Sequence, residues 1–568
     1  MFRSAFAAIV STALIIVSPA AAAQADYDLV IRNGTIYDGQ GGEPYPADVA
    51  IRGDRIVAVG DLSGATSKAE LEAKGLAVAP GFINMLSWAT ESLLVDGRGV
   101  ADIKQGVTLE VMGEGVSMGP WNPKMKRQAV ARQTLLNWSV EWTTLGEYLG
   151  HLERKGVSPN VASFVGATTV RVHELGEGDV DPNPQQLARM RALVRRAMEE
   201  GALGVGSSLI YAPASYAETP ELIALMQEAG RCGGMYISHM RSEGDRLLEG
   251  VDELIEISRA SGAPAEIYHL KQAGRTNWGK LDEVIKRVEA ARAGGQRITA
   301  DMYTYIAGAT GLDAAMPLWV QEGGLEKWIE RLKDPAVRSR VAAEMATSGQ
   351  GWENLFYHAG AEGMTLIGFK NDKLKPLTGK TLAEVAKLRG KSPAETAMDL
   401  VIEDGSRVST AYFLMSEDNV RRQVSLPWMS FGSDEEAPAV ENPFLSYNNH
   451  PRAYGNFARL LGKYVRDEKA ATMGDAIRRL TSFPATNLGL GDRGVLKTGY
   501  AADVVIFDQA AIRDHATFDK PAQYATGVRH VFVNGVQVLK NGEHTGATPG
   551  RFVKGSGWTG WPDGGACR

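Results

Sequence analysis

Residues 234–269 read GMYISHMRSEGDRLLEGVDELIEISRASGAPAEIYH. The segment opens and closes with a short apolar run that ends in a histidine, Tyr236-Ile-Ser-His239 and Glu266-Ile-Tyr-His269. The two histidines are 30 residues apart, a spacing that fits one βα repeat, a strand and a helix with their loops. Two successive strands of a parallel barrel would therefore point an imidazole at the same end, where such barrels build their active sites.

A third apolar run, Met429-Ser-Phe-Gly-Ser-Asp434, ends in a carboxylate. Two imidazoles and a carboxylate that converge at one end of a barrel suit a divalent metal ion, and zinc is the ion that these donors favour. The alternative is a pair of core histidines satisfied by backbone hydrogen bonds, but two histidines at matching strand ends disfavour it. The pattern therefore indicates an enzyme rather than a binding module.

The middle of the chain alternates strand and helix patterns, such as the helical spacing of Pro184–Glu200 and Leu247–Ser261. Eight parallel strands with crossover helices form a (β/α)8 barrel, so the predicted fold class is α/β with a TIM-like barrel. Residues 311–425 are too many for one crossover helix and predict an inserted, mostly helical lid between strands 7 and 8. The candidate strands are Ala77–Met85, Gly106–Gly113, Val161–Val165, Leu203–Ile210, Gly234–His239, Ala263–His269, Ile298–Tyr303 and Trp428–Asp434.

Short strand patterns occur at both ends of the chain. Turns at Asn33-Gly34, Gly53-Asp54 and Asn534-Gly535 separate alternating apolar runs. We therefore expect residues 24–77 and 487–554 to form one small composite β-sandwich, with the barrel in residues 78–486. The Gly-rich tail 555–568 is expected to be flexible.

Composition places the chain among ordinary globular proteins. It has 568 residues, 44% of them hydrophobic and 23% charged, and a formal net charge of -6. This length allows a large barrel with an accessory domain. Charge is not concentrated in long runs of one sign, so nothing favours nucleic acid or an anionic membrane as a partner.

Residues 1–23 have the pattern of a secretory signal peptide. Arg3 precedes an apolar stretch, Ala5 to Val17, and Ala21-Ala22-Ala23 offers a cleavage site. An uncleaved anchor is the alternative, which the short stretch disfavours. The sequence thus predicts export across the inner membrane, to a periplasmic location, with no membrane association after cleavage. The two cysteines, Cys232 and Cys567, lie in different predicted regions, and we expect no structural disulfide between them.

A series of motifs between residues 27 and 554 makes the chain resemble the N-acyl-D-amino-acid deacylases (D-aminoacylases) of the amidohydrolase superfamily. Each motif is weak alone, whereas their order and spacing are specific. The motifs are Val78-Ala-Pro-Gly-Phe-Ile83, Gln105-Gly-Val-Thr, Gly206-Ser-Ser-Leu-Ile-Tyr211, Tyr236-Ile-Ser-His-Met-Arg-Ser-Glu243, His269-Leu-Lys271, Asp301-Met-Tyr-Thr-Tyr305, Gly432-Ser-Asp434, His450-Pro-Arg-Ala-Tyr-Gly455, Gly499-Tyr-Ala-Ala-Asp503 and Val533-Asn-Gly535.

The chain departs from this family on the first barrel strand. The resemblance implies a His-x-His pair of metal ligands there, but the matching residues are Leu86, Ser87 and Trp88. The family also has a metal-bound cysteine after the second strand, and Glu114 falls at that place. A carboxylate is a competent zinc ligand, so the predicted site is one zinc ion held by His239, His269 and Glu114. Glu110, four residues earlier on the same side of the strand, stays open as the third ligand.

The resemblance implies further roles at the site. Asp434 is expected to act as general base and then general acid in hydrolysis of an amide. Lys271 and Tyr211 match positions that contact the substrate, and the amino-acid carboxylate is a natural partner for the lysine. Weaker candidates for the same pocket are Arg275, Tyr303 and Tyr305. His450 and Arg452 are expected to brace the site from behind.

The implied reaction is zinc-dependent deacylation of an N-acyl-D-amino acid, a small-molecule linear amide. One alternative is hydrolysis of another amide, such as a D-residue dipeptide, a hydantoin-like cyclic amide or an N-acyl-L-amino acid. The other is a metal-free, non-catalytic binder. The acyl group, the side-chain preference, the metal and the oligomeric state stay open at this point.

Overall fold

Eight parallel strands in the described part of the chain form the barrel. The computed structural model describes residues 26–133, 136–349 and 351–567, so the predicted signal peptide lies outside the described residues. The strands, labelled in barrel order, are β1 (Phe82–Asn84), β2 (Val107–Met112), β3 (Asn160–Ser163, continued by Val165–Gly166), β4 (Gly204–Ser208), β5 (Met235–His239), β6 (Ala265–Ile267), β7 (Ile298–Met302) and β8 (Met429–Phe431).

The barrel is hydrogen-bonded in two parallel arcs. One arc joins β1, β2 and β3, and the other runs from the end of β3 through β4 to β8. The arcs meet where the amide of Met85, just after β1, donates to the carbonyl of Phe431 in β8 at 3.1 Å. Buried residues fill these strands, as expected where helices cover a parallel sheet.

Helices alternate with the barrel strands and cover them. Local signals fix their ends. At the start of Pro184–Glu199, the Asn183 side chain accepts from the backbone amide of Gln186, and the Gln186 side chain accepts from the backbone amide of Asn183, which forms a capping box. The helices outside the insertion are Ser92–Val95, Val100–Ile103, Pro123–Arg132, Leu145–Lys155, Ala167–Leu175, Pro184–Glu199, Thr219–Arg231, Leu247–Ser261, Leu281–Ala293, Glu417–Val424, Arg452–Arg459 with the π-helical Leu460–Asp467, Met473–Leu480 and Ser482–Asn487.

The β domain is built from both ends of the chain, within one nine-stranded sheet. Its strands are Tyr27–Ile36, Tyr45–Arg52, Arg55–Gly60, Ser67–Glu72, Ala77–Pro80, Val504–Phe507, Val528–Val533, Val536–Lys540 and Glu543–His544. The predicted first barrel strand is therefore two strands, since Ala77–Pro80 belongs to this domain and β1 to the barrel. Gly81 lies between the two strands, and a larger residue would not fit there because its Cβ would lie 2.1 Å from Thr108 Oγ1.

An insertion with its own apolar core follows β7. Its helices are Leu318–Gln321, Leu325–Arg331, Pro335–Met345, Leu355–Ala359, Leu382–Arg389 and Pro393–Asp404. A three-stranded antiparallel sheet, in the order Ala307–Gly311, Ser409–Phe413 and Met364–Gly368, accompanies them and was not predicted. The helix Glu417–Val424 falls within the predicted insertion 311–425, but its Val420 and Val424 pack into the barrel core, so the insertion ends before this helix.

The C-terminal tail lies against the barrel, where we expected flexibility. The Thr559 amide donates to the Glu199 carbonyl, and the rings of Trp558 and Trp561 pack edge to face. The expectation of no disulfide is wrong, because Cys232 and Cys567 form one. Contacts of the tail with the end of Pro184–Glu199 bring the two thiols together despite 335 residues of separation. Among the described residues, no helix is both long enough and apolar enough to cross a membrane.

Candidate metal centre and active site

Glu114, His239 and His269 converge at the carboxyl end of the barrel. Glu114 Oε1 lies 3.1 Å from His239 Nδ1 and 3.0 Å from His269 Nε2. One ligand atom from each residue falls within 4.8 Å of the other two. All three side chains are buried. The structure thus brings together the three residues that the sequence predicted as ligands.

The backbone at the strand ends sets these positions. His239 is the last residue of β5, whereas His269 follows β6 by two residues and has a φ of 33°. Such left-handed backbone is uncommon outside glycine and must be held by its surroundings. The buried Asp301 holds it, since its Oδ1 accepts from the His269 amide at 2.8 Å.

The two oxygens of Glu114 have separate partners. Oε1 faces the histidines, while Oε2 accepts from the indole Nε1 of Trp88 at 2.9 Å. Burial alone would raise the pKa of Glu114, but the charge of His269 and hydrogen bonds from both histidines hold it well below its usual value. Glu114 is therefore an anion at neutral pH, as a metal ligand must be.

Glu110, the alternative ligand, lies in a different polar cluster. Its Oε2 accepts from the Asn84 amide group at 3.0 Å. Burial raises the pKa of Glu110, and that of the neighbouring Asp102 is raised by burial and by Glu110. Glu110 belongs to this second cluster, and the histidine-facing carboxylate is Glu114.

Glu243 is a partner of both histidines that the sequence analysis missed. Its Oε1 lies 3.0 Å from His269 Nδ1, and its Oε2 lies 3.4 Å from His239 Nε2, the latter a charge contact without hydrogen-bond geometry. These are the ring nitrogens that face away from Glu114. A carboxylate behind a metal-binding histidine fixes its tautomer and orientation. The only sequence signal was the position of Glu243 within the motif shared with the deacylases.

Lys271 is engaged by Glu243. Its Nζ lies 2.8 and 2.9 Å from the two carboxylate oxygens and 2.7 Å from His269 Nδ1. Burial opposes ionisation of both partners, yet the charges of the two histidines and Lys271 lower the pKa of Glu243 to about 2, and the charge of Glu243 raises the pKa of Lys271. The ammonium is therefore paired beneath His269, where we predicted a substrate contact.

Asp434 is linked to Glu114 through the indole of Trp88, which contacts both carboxylates. Its Oδ1 accepts from Trp88 Nε1 at 3.1 Å, and its Oδ2 lies 2.7 Å from Arg452 Nη1. Its φ of 52° is also left-handed, and its amide donates to the Leu86 carbonyl at 2.8 Å. Burial raises the pKa of Asp434 although Arg452 opposes the change.

His450 and Tyr305 support Arg452 from behind. His450 Nε2 is 3.0 Å from the Ala307 carbonyl, which can only accept, so Nε2 carries the proton and Nδ1 accepts from the Arg452 amide. Burial and the charge of Arg452 keep the pKa of His450 well below its usual value. Tyr305 packs edge-on against His450, at 5.4 Å between ring centres.

The other predicted pocket residues divide into two groups. The Arg452 guanidinium carbon lies over the ring of Tyr303, 4.4 Å from the centre of that ring. Tyr211 packs edge-on against His239, with 5.4 Å between the ring centres. Both belong to the site. Arg275 is exposed and stacks over Trp278, so the structure does not bring it to the triad.

The donor set fits a divalent ion. One carboxylate oxygen and two imidazole nitrogens already face a common point. Burial and Lys271 lower the pKa of His269, but the charges of Glu243 and Glu114 outweigh them and raise it well above its usual value. The two carboxylates thus favour positive charge at this point.

Comparison with known proteins agrees with this geometry. Residues 69–539 match the amidohydrolase family. This chain belongs to that family. It is 32% identical to D-aminoacylase from Alcaligenes xylosoxydans xylosoxydans over 93% of this chain and 97% of that protein. N-acyl-D-glutamate deacylase from the same organism is also 32% identical, over 94% and 97% of the two chains.

Solved structures place this amidohydrolase in the D-aminoacylase branch. A crystal structure of D-aminoacylase matches with a TM-score of 0.77 and 31% identity, covering 93% of this chain and all of that one. N-acyl-D-glutamate deacylase from Bordetella bronchiseptica, solved with zinc and a phosphonate that mimics the tetrahedral intermediate, matches with a TM-score of 0.76 and 27% identity, covering 93% and 99%. The predicted family and fold class are confirmed, and the chain is a metal-dependent amidohydrolase.

Proposed function

We propose that this amidohydrolase removes the acyl group from N-acyl-D-amino acids and that it uses one zinc ion per chain. The convergence of Glu114, His239 and His269 near Asp434 carries the proposal. The substrate class is supported by the relatives, which are named for deacylation of N-acyl-D-amino acids and cover nearly the whole chain.

Glu114, His239 and His269 would hold the ion. When bound, zinc would polarise the scissile carbonyl and lower the pKa of the attacking water. For His269 to offer Nε2, its Nδ1 must carry the proton; Glu243 Oε1, 3.0 Å away, would accept from it, and Lys271 Nζ, 2.7 Å from the same nitrogen, would then direct its own protons to Glu243. Lys271 then donates to Glu243 and neutralises its charge.

Asp434 is the proton carrier. It accepts the proton of the attacking water and returns it to the leaving nitrogen when the carbon–nitrogen bond breaks. Burial raises the pKa of this carboxyl towards neutral pH, so that the protonated form can act as an acid. Arg452 and Trp88 each hold one of its oxygens and fix the direction of the carboxyl group.

Arg452 and Tyr303 are the groups that suit the carboxylate of the amino acid. The Arg452 Nε and the Tyr303 hydroxyl are buried without a hydrogen-bond partner among the described residues. Buried unpaired donors are costly and are usually completed by a ligand or by water. Lys271 is not free in this way, because its ammonium already donates hydrogen bonds to Glu243.

A substrate panel tests the proposal. Purified protein is loaded with zinc and assayed against matched N-acyl-D- and N-acyl-L-amino acids, N-acyl-D-amino-acid amides and hydantoins. We expect hydrolysis of the D-acids, weak turnover of the amides, which lack the carboxylate, and none of the hydantoins. Turnover of only the L series or only hydantoins would refute the substrate assignment.

The metal assignment needs its own measurement. We expect one zinc ion per chain after dialysis, with activity lost on chelation and restored by zinc. Restoration by manganese or cobalt alone would change the identity of the ion. A protein that binds none of these metals and turns over no substrate would instead be a non-catalytic binder.

Export to the periplasm is part of the same proposal. The pattern of residues 1–23 is that of a secretory signal. The Cys232–Cys567 disulfide supports it, since disulfides persist in oxidising compartments. Fractionation of the native host tests it: the mature protein should be recovered with the periplasmic contents, starting near Gln24.

A further inference from the structure

Trp88 makes one hydrogen-bond donor serve two carboxylates. Its Nε1 lies 2.9 Å from Glu114 Oε2 and 3.1 Å from Asp434 Oδ1. An indole has a single N–H and no acceptor, so one proton is shared between the proposed metal ligand and the proposed proton carrier. Trp88 is fixed in turn by its amide, which donates to the Glu435 carbonyl at 2.9 Å.

The surroundings of this hydrogen bond offer little to a second cation. Leu86, which comes before Trp88 on the same strand extension, is apolar and fully buried. Its carbonyl accepts from the Asp434 amide at 2.8 Å. The oxygens of Glu114 and Asp434 that face each other are already paired with the indole.

We propose that Trp88 is a positioning residue that takes the place of a second metal ion: its N–H joins Glu114 to Asp434 and limits the centre to one ion. Two carboxylates that face each other in a buried site repel unless a cation or a shared donor lies between them. The indole supplies that donor without adding charge. The inference rests on the proposed function for the bound ion and for the role of Asp434, and the metal count is measured without substrate.

Three variants test the inference with metal alone. Trp88→Phe keeps an aromatic ring and removes the shared N–H, and Trp88→His adds a nitrogen ligand. Trp319→Phe is the matched control, since Trp319 Nε1 also donates to a carboxylate, Glu344 at 3.0 Å, in the insertion. Circular dichroism checks that each variant is folded.

Metal uptake and the visible spectrum of the cobalt-loaded proteins are the main readouts. We expect wild type and Trp319→Phe to saturate at one ion per chain in excess metal, and Trp88→His to take up a second. The cobalt spectrum of Trp88→Phe should shift, because its Glu114 ligand loses a charge-assisted hydrogen bond. With an N-acyl-D-amino acid, kcat of Trp88→Phe should fall about 10-fold or more, with a smaller change in KM.

Two results would overturn the inference. One is uptake of two ions by the wild-type protein. The other is that both Trp88 variants match Trp319→Phe in metal uptake and spectrum. Failure of every N-acyl amino acid to react would refute the proposed function instead, and the metal readouts would still decide the role of Trp88.

Discussion

Replacing Glu243 by glutamine tests whether one carboxylate orients both metal-binding histidines. Glu243 lies 3.0 Å from His269 Nδ1 and 3.4 Å from His239 Nε2. Loss of a partner of this kind weakens metal affinity by about 10- to 100-fold, or about 1.4 to 2.7 kcal/mol. Because both histidines lose the same anion, we expect a zinc affinity about 100-fold lower, at the upper end of that range.

The same substitution leaves the Lys271 ammonium buried without its counterion. Breaking a buried ion pair from one side costs about 3–5 kcal/mol. Glutamine still offers one carbonyl oxygen to Lys271, so we expect about 3 kcal/mol lost from the free energy of unfolding of the metal-free protein. Adding Lys271→Met to Glu243→Gln should restore little metal affinity, since it removes the unpaired charge but does not replace the carboxylate that the histidines have lost.

Zinc affinity is measured by competition with a chelating indicator, and stability by denaturant unfolding of metal-free protein. Glu249→Gln is the control, because Glu249 is exposed and pairs only with the exposed Arg246 among its described neighbours. A Glu243→Gln protein whose zinc affinity stays within about threefold of wild type would refute the proposed function of Glu243, given the 10-fold lower bound for such partners.

Three further predictions follow from the same geometry. Glu114→Ala should abolish stoichiometric zinc binding while Glu110→Ala retains it, measured as metal content after dialysis; the opposite pattern would move the third ligand to Glu110. Asp434→Asn should lower kcat by about 10²- to 10⁴-fold with zinc still bound, and an active, zinc-loaded variant would remove Asp434 from proton transfer. Cys232→Ser should lower the free energy of unfolding by about 2–4 kcal/mol, seen as a lower thermal midpoint, and should make unfolding insensitive to reductant. A wild-type protein whose unfolding does not change with reductant would contradict this.

The sequence predicted the strands and the strand-end histidines well because these depend on local patterns. A buried parallel strand is a short apolar run, and a polar residue at its carboxyl end reaches the active-site face. His239, His269 and Asp434 all follow this rule. Glu114 came from a family resemblance instead, since nothing local distinguishes it from Glu110.

The partner of Lys271 was beyond this kind of reasoning. Strand alternation places residue 271 on the same side as residue 269, and Lys271 Nζ does lie 2.7 Å from His269 Nδ1. Alternation does not show that Glu243 lies at the same place and pairs with the ammonium. Glu243 itself lies in the loop after β5, where side-chain direction follows no period that the sequence displays.

The disulfide was missed for a related reason. Pairing of Cys232 with Cys567 depends on where a 13-residue described tail, 555–567, lies on the barrel surface. Its contacts include backbone hydrogen bonds and packing between Trp558 and Trp561. Neither leaves a periodic signal, and a Gly-rich composition favours the flexible interpretation.

The charges at the centre suit one divalent ion and an anionic substrate. Lys271 neutralises Glu243, and Arg452 neutralises Asp434, so Glu114 is the carboxylate of this group without a lysine or arginine partner among the described residues. One divalent ion held beside Glu114 leaves a single net positive charge in a buried site, where charge interactions are screened little. A second divalent ion would leave three net positive charges, and the neutral side chain of Trp88 avoids the repulsion between them. The remaining positive charge attracts the carboxylate of an N-acyl amino acid, so the substitution that limits the metal count also fits the proposed substrate.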